Sequence, residues 1–203
     1  TMSLAPLHAA FGVQKAVLVT LQAISGAGYP GVPSLDILGN VIPHIPGEEE
    51  KIEPELNKML GTLEAGQVVI APIVVSAHCN RVPVQHGHTV CMTLGLESSA
   101  GPEEVLEAMN EWQGHSICRG LPSAPSRPLV VRPEVNRPQA RKDANEGGGM
   151  AVVVGRVRSD PVMDVSFAAM AHNTVRGAAG GSILNAEVLG RMGRLPGVTE
   201  GAW

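Results

Sequence analysis

Val13-Gln14-Lys15-Ala16-Val17-Leu18-Val19-Thr20-Leu21-Gln22-Ala23-Ile24 is a short, mostly apolar run with β-branched residues at its centre, and Ser25-Gly26-Ala27-Gly28-Tyr29-Pro30-Gly31 follows it without a break. The first part predicts a buried strand over 13–24. The second satisfies G-x-G-x-x-G from Gly26 to Gly31, with acidic Glu48 about twenty residues on, the spacing of a dinucleotide-binding turn. Such a turn works only if a helix begins inside it and aims its free N–H groups at a pyrophosphate. Pro30 and Pro33 interrupt that helix start, and the next convincing strand arrives only at Val68, too late for a compact strand–helix–strand unit. The doubly wound nucleotide-binding fold is therefore rejected for this segment. What remains is a tight turn, or a loop whose backbone comes close to a substrate, which glycine permits.

On the N-terminal side, Leu4, Leu7 and Phe11 recur at helical spacing, predicting a helix over 2–11 that Gly12 ends. Further along, the pattern predicts an amphipathic helix over 48–60, with Ile52, Leu56, Met59 and Leu60 on one side. Strands follow over 67–76 and 89–96, then a helix over 102–113 opened by Pro102, Glu103 and Glu104. Leu121 to Pro138 is punctuated by prolines, and Gly147-Gly148-Gly149 comes after it. This region reads as a long extended crossing that runs over a surface and helps cover the sheet or a partner subunit, not as a core element. Strands over 150–157 and 162–170 and a helix over 180–192 complete the pattern. No internal repeat is visible. Helices and strands mix without strict alternation, so the expected fold is one α+β domain with a mixed or antiparallel sheet.

Composition narrows the classes. Hydrophobic residues are 44% and charged residues 17% of the 203, enough for a packed core. Aromatics are only Phe11, Tyr29, Trp112, Phe167 and Trp203, so aliphatic side chains and Met must fill that core. The net charge of -4 offers no basic stripe, and nucleic acid is not an expected partner. Cys79, Cys91 and Cys118 form no C-x-x-C pair, which fits a reducing compartment, expected to be the cytoplasm, better than a disulfide framework. The apolar stretch Ala16–Leu21 is too short to span a bilayer, and no leader pattern opens the chain, so no membrane partner is expected.

The most chemical segment is Arg81-Val82-Pro83-Val84-Gln85-His86-Gly87-His88, between two predicted strands. An extended Arg81 could grip a carboxylate with two parallel hydrogen bonds, and His88 could exchange protons near neutral pH. At two residues' separation His86 and His88 would share one face of a strand. Three readings stand side by side: a zinc site from His78, Cys79, His86 and His88, whose spacing fits no standard pattern; a Cys–His hydrolase pairing His88 with Cys79 or Cys118; and plain surface histidines on a hairpin loop.

Several segments together resemble the aspartate-semialdehyde dehydrogenases, most closely their archaeal and fungal branch. Leu21-Gln22-Ala23-Ile24-Ser25-Gly26-Ala27-Gly28 resembles that family's Q-A-x-S-G-A-G segment, and Gly47-Glu48-Glu49-Glu50-Lys51-Ile52 with Asn57-Lys58-Met59-Leu60 its G-E-E-x-K helix. Arg81-Val82-Pro83-Val84 through Gly87-His88 resembles its R-V-P-V-x-x-G-H motif. Gly155-Arg156-Val157-Arg158 and Asn173-Thr174-Val175-Arg176-Gly177-Ala178-Ala179-Gly180 resemble its closing segments. Order and spacing agree along nearly the whole chain.

The resemblance implies a glyceraldehyde-3-phosphate dehydrogenase-like C-terminal domain and a set of roles. Gln22 would orient substrate beside the nucleophile, Glu48 would meet a substrate ammonium, Lys51 a phosphate and Arg81 the α-carboxylate. His88 would be the general acid/base; Asn173, with Ser25 and Gly26, would adjoin the nicotinamide of NADP. Loss of His86 is expected to be mild. No metal is implied. The implied reaction interconverts aspartate semialdehyde and β-aspartyl phosphate, through a thiohemiacetal and a thioester, with NADP and phosphate, in a homodimer or higher homo-oligomer. The family's N-C-[ST] nucleophile, which should directly precede the helix at Met2–Phe11, and its amino-terminal NADP-binding domain have no counterpart in the sequence. Residues 1–203 are thus expected to form the catalytic and dimerisation domain, inactive alone. The alternatives are a relative of N-acetyl-γ-glutamyl-phosphate reductase, whose substrate has no ammonium for Glu48, and a non-catalytic dimerisation or binding module.

Overall fold

The computed structural model describes residues 1–195, so Trp203 lies outside it. In chain order these residues form α1 (Ala5–Phe11), β1 (Val13–Gln22), α2 (Ser34–Ile37), α3 (Glu48–Met59), β2 (Thr62–Glu64), β3 (Gln67–Val69), β4 (Val74–Arg81) and β5 (His88–Leu96). There follow α4 (Pro102–Glu111), β6 (Leu129–Arg132), α5 (Ala140–Asp143), β7 (Val152–Ser159), β8 (Val165–Ala171) and α6 (Gly180–Arg191). Six strands make one mixed sheet in the order β4-β1-β5-β8-β7-β6. The three inner pairings are antiparallel, and the two outermost, β1 with β4 and β6 with β7, are parallel. The fold is α+β, as the mixture of elements predicts.

Alternation along the strands builds the core. Ala16 and Leu18 of β1, Met92 and Leu94 of β5, Val165, Phe167 and Ala169 of β8 and Val152 and Val154 of β7 are buried together under helices. Leu4 and Leu7 reach that layer from the α1 end, Leu56 from α3, and Val105 and Met109 from α4. Each Val, Leu, Met or Phe among them contributes about 1.5–3 kcal/mol when fully buried. α4 starts where Pro102 and Glu104 predict: Glu104 Oε2 accepts the Gly101 N–H at 2.7 Å. No helix among the described residues is long and apolar enough to cross a membrane.

The structure departs from the sequence pattern in four places. The strand expected over 67–76 is two strands: β3 pairs only with β2, and β4 begins at Val74 after the break at Ala71-Pro72. β1 does have a parallel partner, but it is β4, reached through α3, and no helix starts in the glycine loop: Ile24–Ala27 is a 3-10 turn. Met59 is 59% exposed, so the inner side of α3 is Ile52, Leu56 and Leu60. Finally, the proline-rich crossing contains β6, whose Leu129 belongs to the main core. Pro128 and Pro133 hide this strand in the sequence; only its pairing with β7 makes it one. The second face of the sheet is covered further along, by Ala144 packing on Val153 and Met170. Asp143, buried, anchors this return by accepting from Arg137 Nε and the Gln139 N–H, at 2.8 and 2.6 Å.

Candidate active site

Strand direction gathers the candidate residues. β1 and β4 run parallel and end level, with Gln22 opposite Arg81. β5 is antiparallel to β1 and begins at that end with His88; β8 is antiparallel to β5 and finishes there, Ala171 opposite His88, two residues before Asn173. α3 delivers Glu48 from its first residue: Gln22 Nε2 donates to Glu48 Oε2 at 3.1 Å. One end of the sheet thus holds side chains far apart in sequence.

Arg81 is only 7% exposed. Its Nη1 donates to the Ala23 carbonyl at 2.8 Å, and it has no carboxylate in ion-pair range among the described residues. Burial lowers its pKa, and the Glu48 charge works against that. Glu48 in turn forms no ion pair among the described residues. A cation and an anion are therefore held near each other without neutralising contact.

His88 is fixed through Nδ1, which accepts the Ala23 N–H at 3.0 Å. An amide can only donate, so Nδ1 is bare and the neutral ring carries its proton on Nε2. Burial, and then the Arg81 charge, lower its pKa to about 4. Gly26 lies against the same ring: a Cβ there would stand 3.0 Å from His88 Nε2 and 3.1 Å from Arg81 Nη1. The reason for glycine here is this close approach. His88 also borders a cleft of about 340 Å³ whose walls include Thr1, Met2, Ser3 and Arg176.

His86 does not share a strand face with His88. The chain turns at Gly87, whose φ of +96° suits glycine, and β5 starts only at His88. His86 Nδ1 meets Ser25 Oγ at 3.1 Å and its ring stacks on His172 with centroids 5.1 Å apart. Asn173 links the same parts: its Nδ2 donates to Ser25 Oγ at 2.8 Å, and its Oδ1 accepts the Gly87 N–H at 2.9 Å. Lys51 is exposed on α3, one turn beyond Glu48, with no ion pair to the cluster.

The zinc reading fails on geometry. His78 and Cys79 are strand neighbours on opposite faces, one exposed and one buried, and among the described residues no three His, Cys, Asp or Glu side chains could hold a metal ion. Against the hydrolase reading, burial pushes the Cys79 thiol up, the reverse of what a nucleophile needs, and Cys118, in the 3-10 turn Ser116–Cys118, lines a different cleft from His88. The plain surface-histidine reading fails as well, since His88 is held inside the cluster.

Residues 4–176 match the family described as "Semialdehyde dehydrogenase, dimerisation domain". The chain belongs to that family. It is 49% identical over 191 residues to the aspartate-semialdehyde dehydrogenase of Methanothermobacter thermautotrophicus, covering 93% of this chain and 55% of that one. The Trichophyton rubrum enzyme of the same name is 48% identical over 182 residues, 86% of this chain and 50% of that one. Among solved structures, the aspartate semialdehyde dehydrogenase of Candida albicans with NADP superposes with a TM-score of 0.83 at 40% identity, covering 92% of this chain and 53% of that one. The chain spans about half the length of the curated relatives it matches. The archaeal and fungal resemblance read from the motifs agrees with these matches.

Of the residues singled out in the sequence, the semialdehyde dehydrogenase domain brings together Gln22, Ser25, Gly26, Glu48, Arg81, His88 and Asn173, and leaves Lys51 outside their hydrogen bonds. Three participants escaped notice. The Ala23 backbone, which holds both Arg81 and His88, carries no side-chain signal. Glu49, whose Oε1 accepts the Cys79 N–H at 2.8 Å, was hidden in an acidic helix start. His172 directly precedes Asn173, and only its stacking on His86 gives it a part.

Proposed function

We propose that this domain is the catalytic and dimerisation half of an enzyme that interconverts L-aspartate 4-semialdehyde and L-4-aspartyl phosphate, with NADP and phosphate. The observation that carries the reading is the pair of unneutralised charges beside His88. Among the described residues, Arg81 is buried with no carboxylate in ion-pair range and Glu48 has no cation in that range, both at the end of the sheet where His88 stands. A small amino-acid aldehyde supplies what each lacks: a carboxylate for the guanidinium fork and an ammonium for Glu48. Gln22 holds Glu48 in place. Lys51, free in solvent one turn on, is the candidate for the phosphate. The His88 Nε2–H donates to the carbonyl oxygen and stabilises the charge that develops on it. To take a proton from a thiohemiacetal at Nε2, the ring must first give up its Nδ1 bond to Ala23 and change tautomer.

The side chains fit the nicotinamide end of NADP. The Asn173 amide and Ser25 hydroxyl, joined beside the His88 turn, offer donors and acceptors of the kind a carboxamide needs. They do not fit its pyrophosphate, since the Gly26–Gly31 loop opens no helix. When bound, NADP supplies the hydride acceptor. The family's nucleophilic cysteine, which the resemblance puts directly before the first helix, would enter at the cleft walled by Thr1–Ser3 and His88. Glu48 favours this reading over an N-acetylated substrate, which would leave the carboxylate without a partner.

The test is the full-length gene product incubated with aspartate semialdehyde, NADP and phosphate. Formation of NADPH that depends on phosphate and on a cysteine encoded immediately before Thr1 supports the proposal; no turnover in the full-length protein overturns it.

A further inference from the structure

His88 stands between two turns. Its ring is held by the turn at 23–26, through the Ala23 N–H and the packing of Gly26; its backbone enters β5 from the turn at 86–87. Backbone bonds tie the first turn to the segment before the second: the Ile24 N–H donates to the Val84 carbonyl at 2.8 Å, and the Ser25 N–H to the Gln85 carbonyl at 3.3 Å. Two side chains brace the turns themselves. Asn173 bridges them, from Ser25 Oγ to the Gly87 N–H, and His86 reaches Ser25 Oγ directly.

The braces join into one chain of hydrogen bonds. Asn173 Nδ2–H occupies one lone pair of Ser25 Oγ, and the hydroxyl keeps its own hydrogen and a second lone pair with which to meet His86 Nδ1. The His86 ring is kept in place by its stack on His172, whose own Nδ1 accepts the Val175 N–H at 3.3 Å. His86 therefore does more than mark the neighbourhood of His88.

We propose that His86, stacked on His172 and acting through Ser25 and Asn173, is a positioning residue that holds the 23–26 turn against His88 and so keeps His88 as the Nε2–H tautomer. If the turns move apart, the Ala23 N–H leaves Nδ1, and the ring loses the contact that selects one tautomer. The consequence for catalysis rests on the dehydrogenase reading above; the effect on the His88 ring does not.

Imidazole ¹⁵N NMR of the 203-residue chain tests this without any turnover. The wild type is expected to show His88 with a bare Nδ1 and a protonated Nε2. His86→Phe, which keeps a ring to stack but has no Nδ1, should lose that single-tautomer pattern at His88. His86→Asn, whose Oδ1 takes the place of Nδ1, should restore it. Ser25→Ala, which removes only a hydroxyl, should reproduce the Phe result and decides the question if Phe at 86 prevents folding. An unchanged His88 spectrum in a folded His86→Phe or Ser25→Ala chain overturns the proposal, as does failure of a folded His86→Asn chain to restore the pattern. Absence of dehydrogenase activity in the full-length protein would count only against the functional reading.

Discussion

The Ala23 N–H and the His88 Nδ1 are 3.0 Å apart, and that one contact commits the imidazole to the neutral form with its proton on Nε2. Protonation would put a second N–H where the amide already points. Burial and the Arg81 charge act in the same sense.

Stability should therefore fall on acidification. The His88 pKa in the folded chain is about 4, below its ordinary 6.5, so between those values the unfolded chain binds the proton and the folded chain does not. The loss begins near pH 6.5, grows as the pH drops and levels off below about 4, reaching up to about 3 kcal/mol for this residue. His172, held low by burial and then by His86, adds in the same direction. Urea unfolding of wild type and His88→Asn across this range is the measurement: the variant should show a shallower slope, and equal slopes would contradict the linkage.

On the proposed reading, Arg81→Lys in the full-length protein should lower kcat/KM about thirty- to a hundred-fold, mostly through KM, because an ammonium cannot reproduce the two-pronged grip of ~2–3 kcal/mol that the proposal gives Arg81. His88→Asn should instead act on kcat, by ~10²–10⁴. Steady-state kinetics of both variants separate the roles; wild-type constants in either would remove that residue from the site.

Gly26→Ala puts a methyl group within 3.0–3.1 Å of His88 and Arg81, so both side chains must give way. A modest stability cost, about 1–3 kcal/mol, is expected, with a clear loss of kcat/KM in the full-length enzyme. Urea unfolding and kinetics read the two effects. A variant unchanged in both would show that the turn has room the geometry does not display.

Asp143→Asn should destabilise the domain by about 1–3 kcal/mol, since it removes the charge from a buried acceptor of charge-assisted hydrogen bonds. Asp143 accepts from Arg137 and from the Gln139 backbone, and Arg132 stands 3.7 Å away. Burial alone would raise its pKa; the Arg137 hydrogen bonds and the arginine charges prevail and hold it low. Thermal and urea unfolding give the answer, and a loss below about 1 kcal/mol would place this bracket among weak surface pairs.

The chain should self-associate. The outer face of β5 leaves Cys91 exposed, and the family to which the domain belongs is described by dimerisation. Sedimentation at micromolar concentration should give about twice the 21.1 kDa of one chain; a clean monomer would refute this. Because β6 pairs with β7, limited proteolysis should spare Leu129–Arg132.

Local pattern alone determined the long elements. The apolar run of β1, the alternation of β5, the acidic start of α3 and the Pro102 start of α4 are set by neighbours within a few residues, which is the range over which periodicity and capping act. Motif order was enough to nominate Gln22, Glu48, Arg81, His88 and Asn173. Tertiary structure decided what no local rule contains. β6 exists only because Val152–Gly155 offer it a ladder, which the flanking prolines conceal in the sequence. Glu48 and Lys51 stand one turn apart on the same helix, yet only Glu48 meets Gln22. Spacing puts His86 on one strand face with His88, whereas the turn at Gly87 sends it to Ser25, a residue 61 positions away. The site itself is a product of strand direction: β1 and β4 finish, β5 begins and β8 finishes at one end of the sheet, so side chains distant in sequence meet there. Sequence spacing carries none of that, because pairing partners are chosen by burial across the whole sheet, and direction follows from the connections between strands.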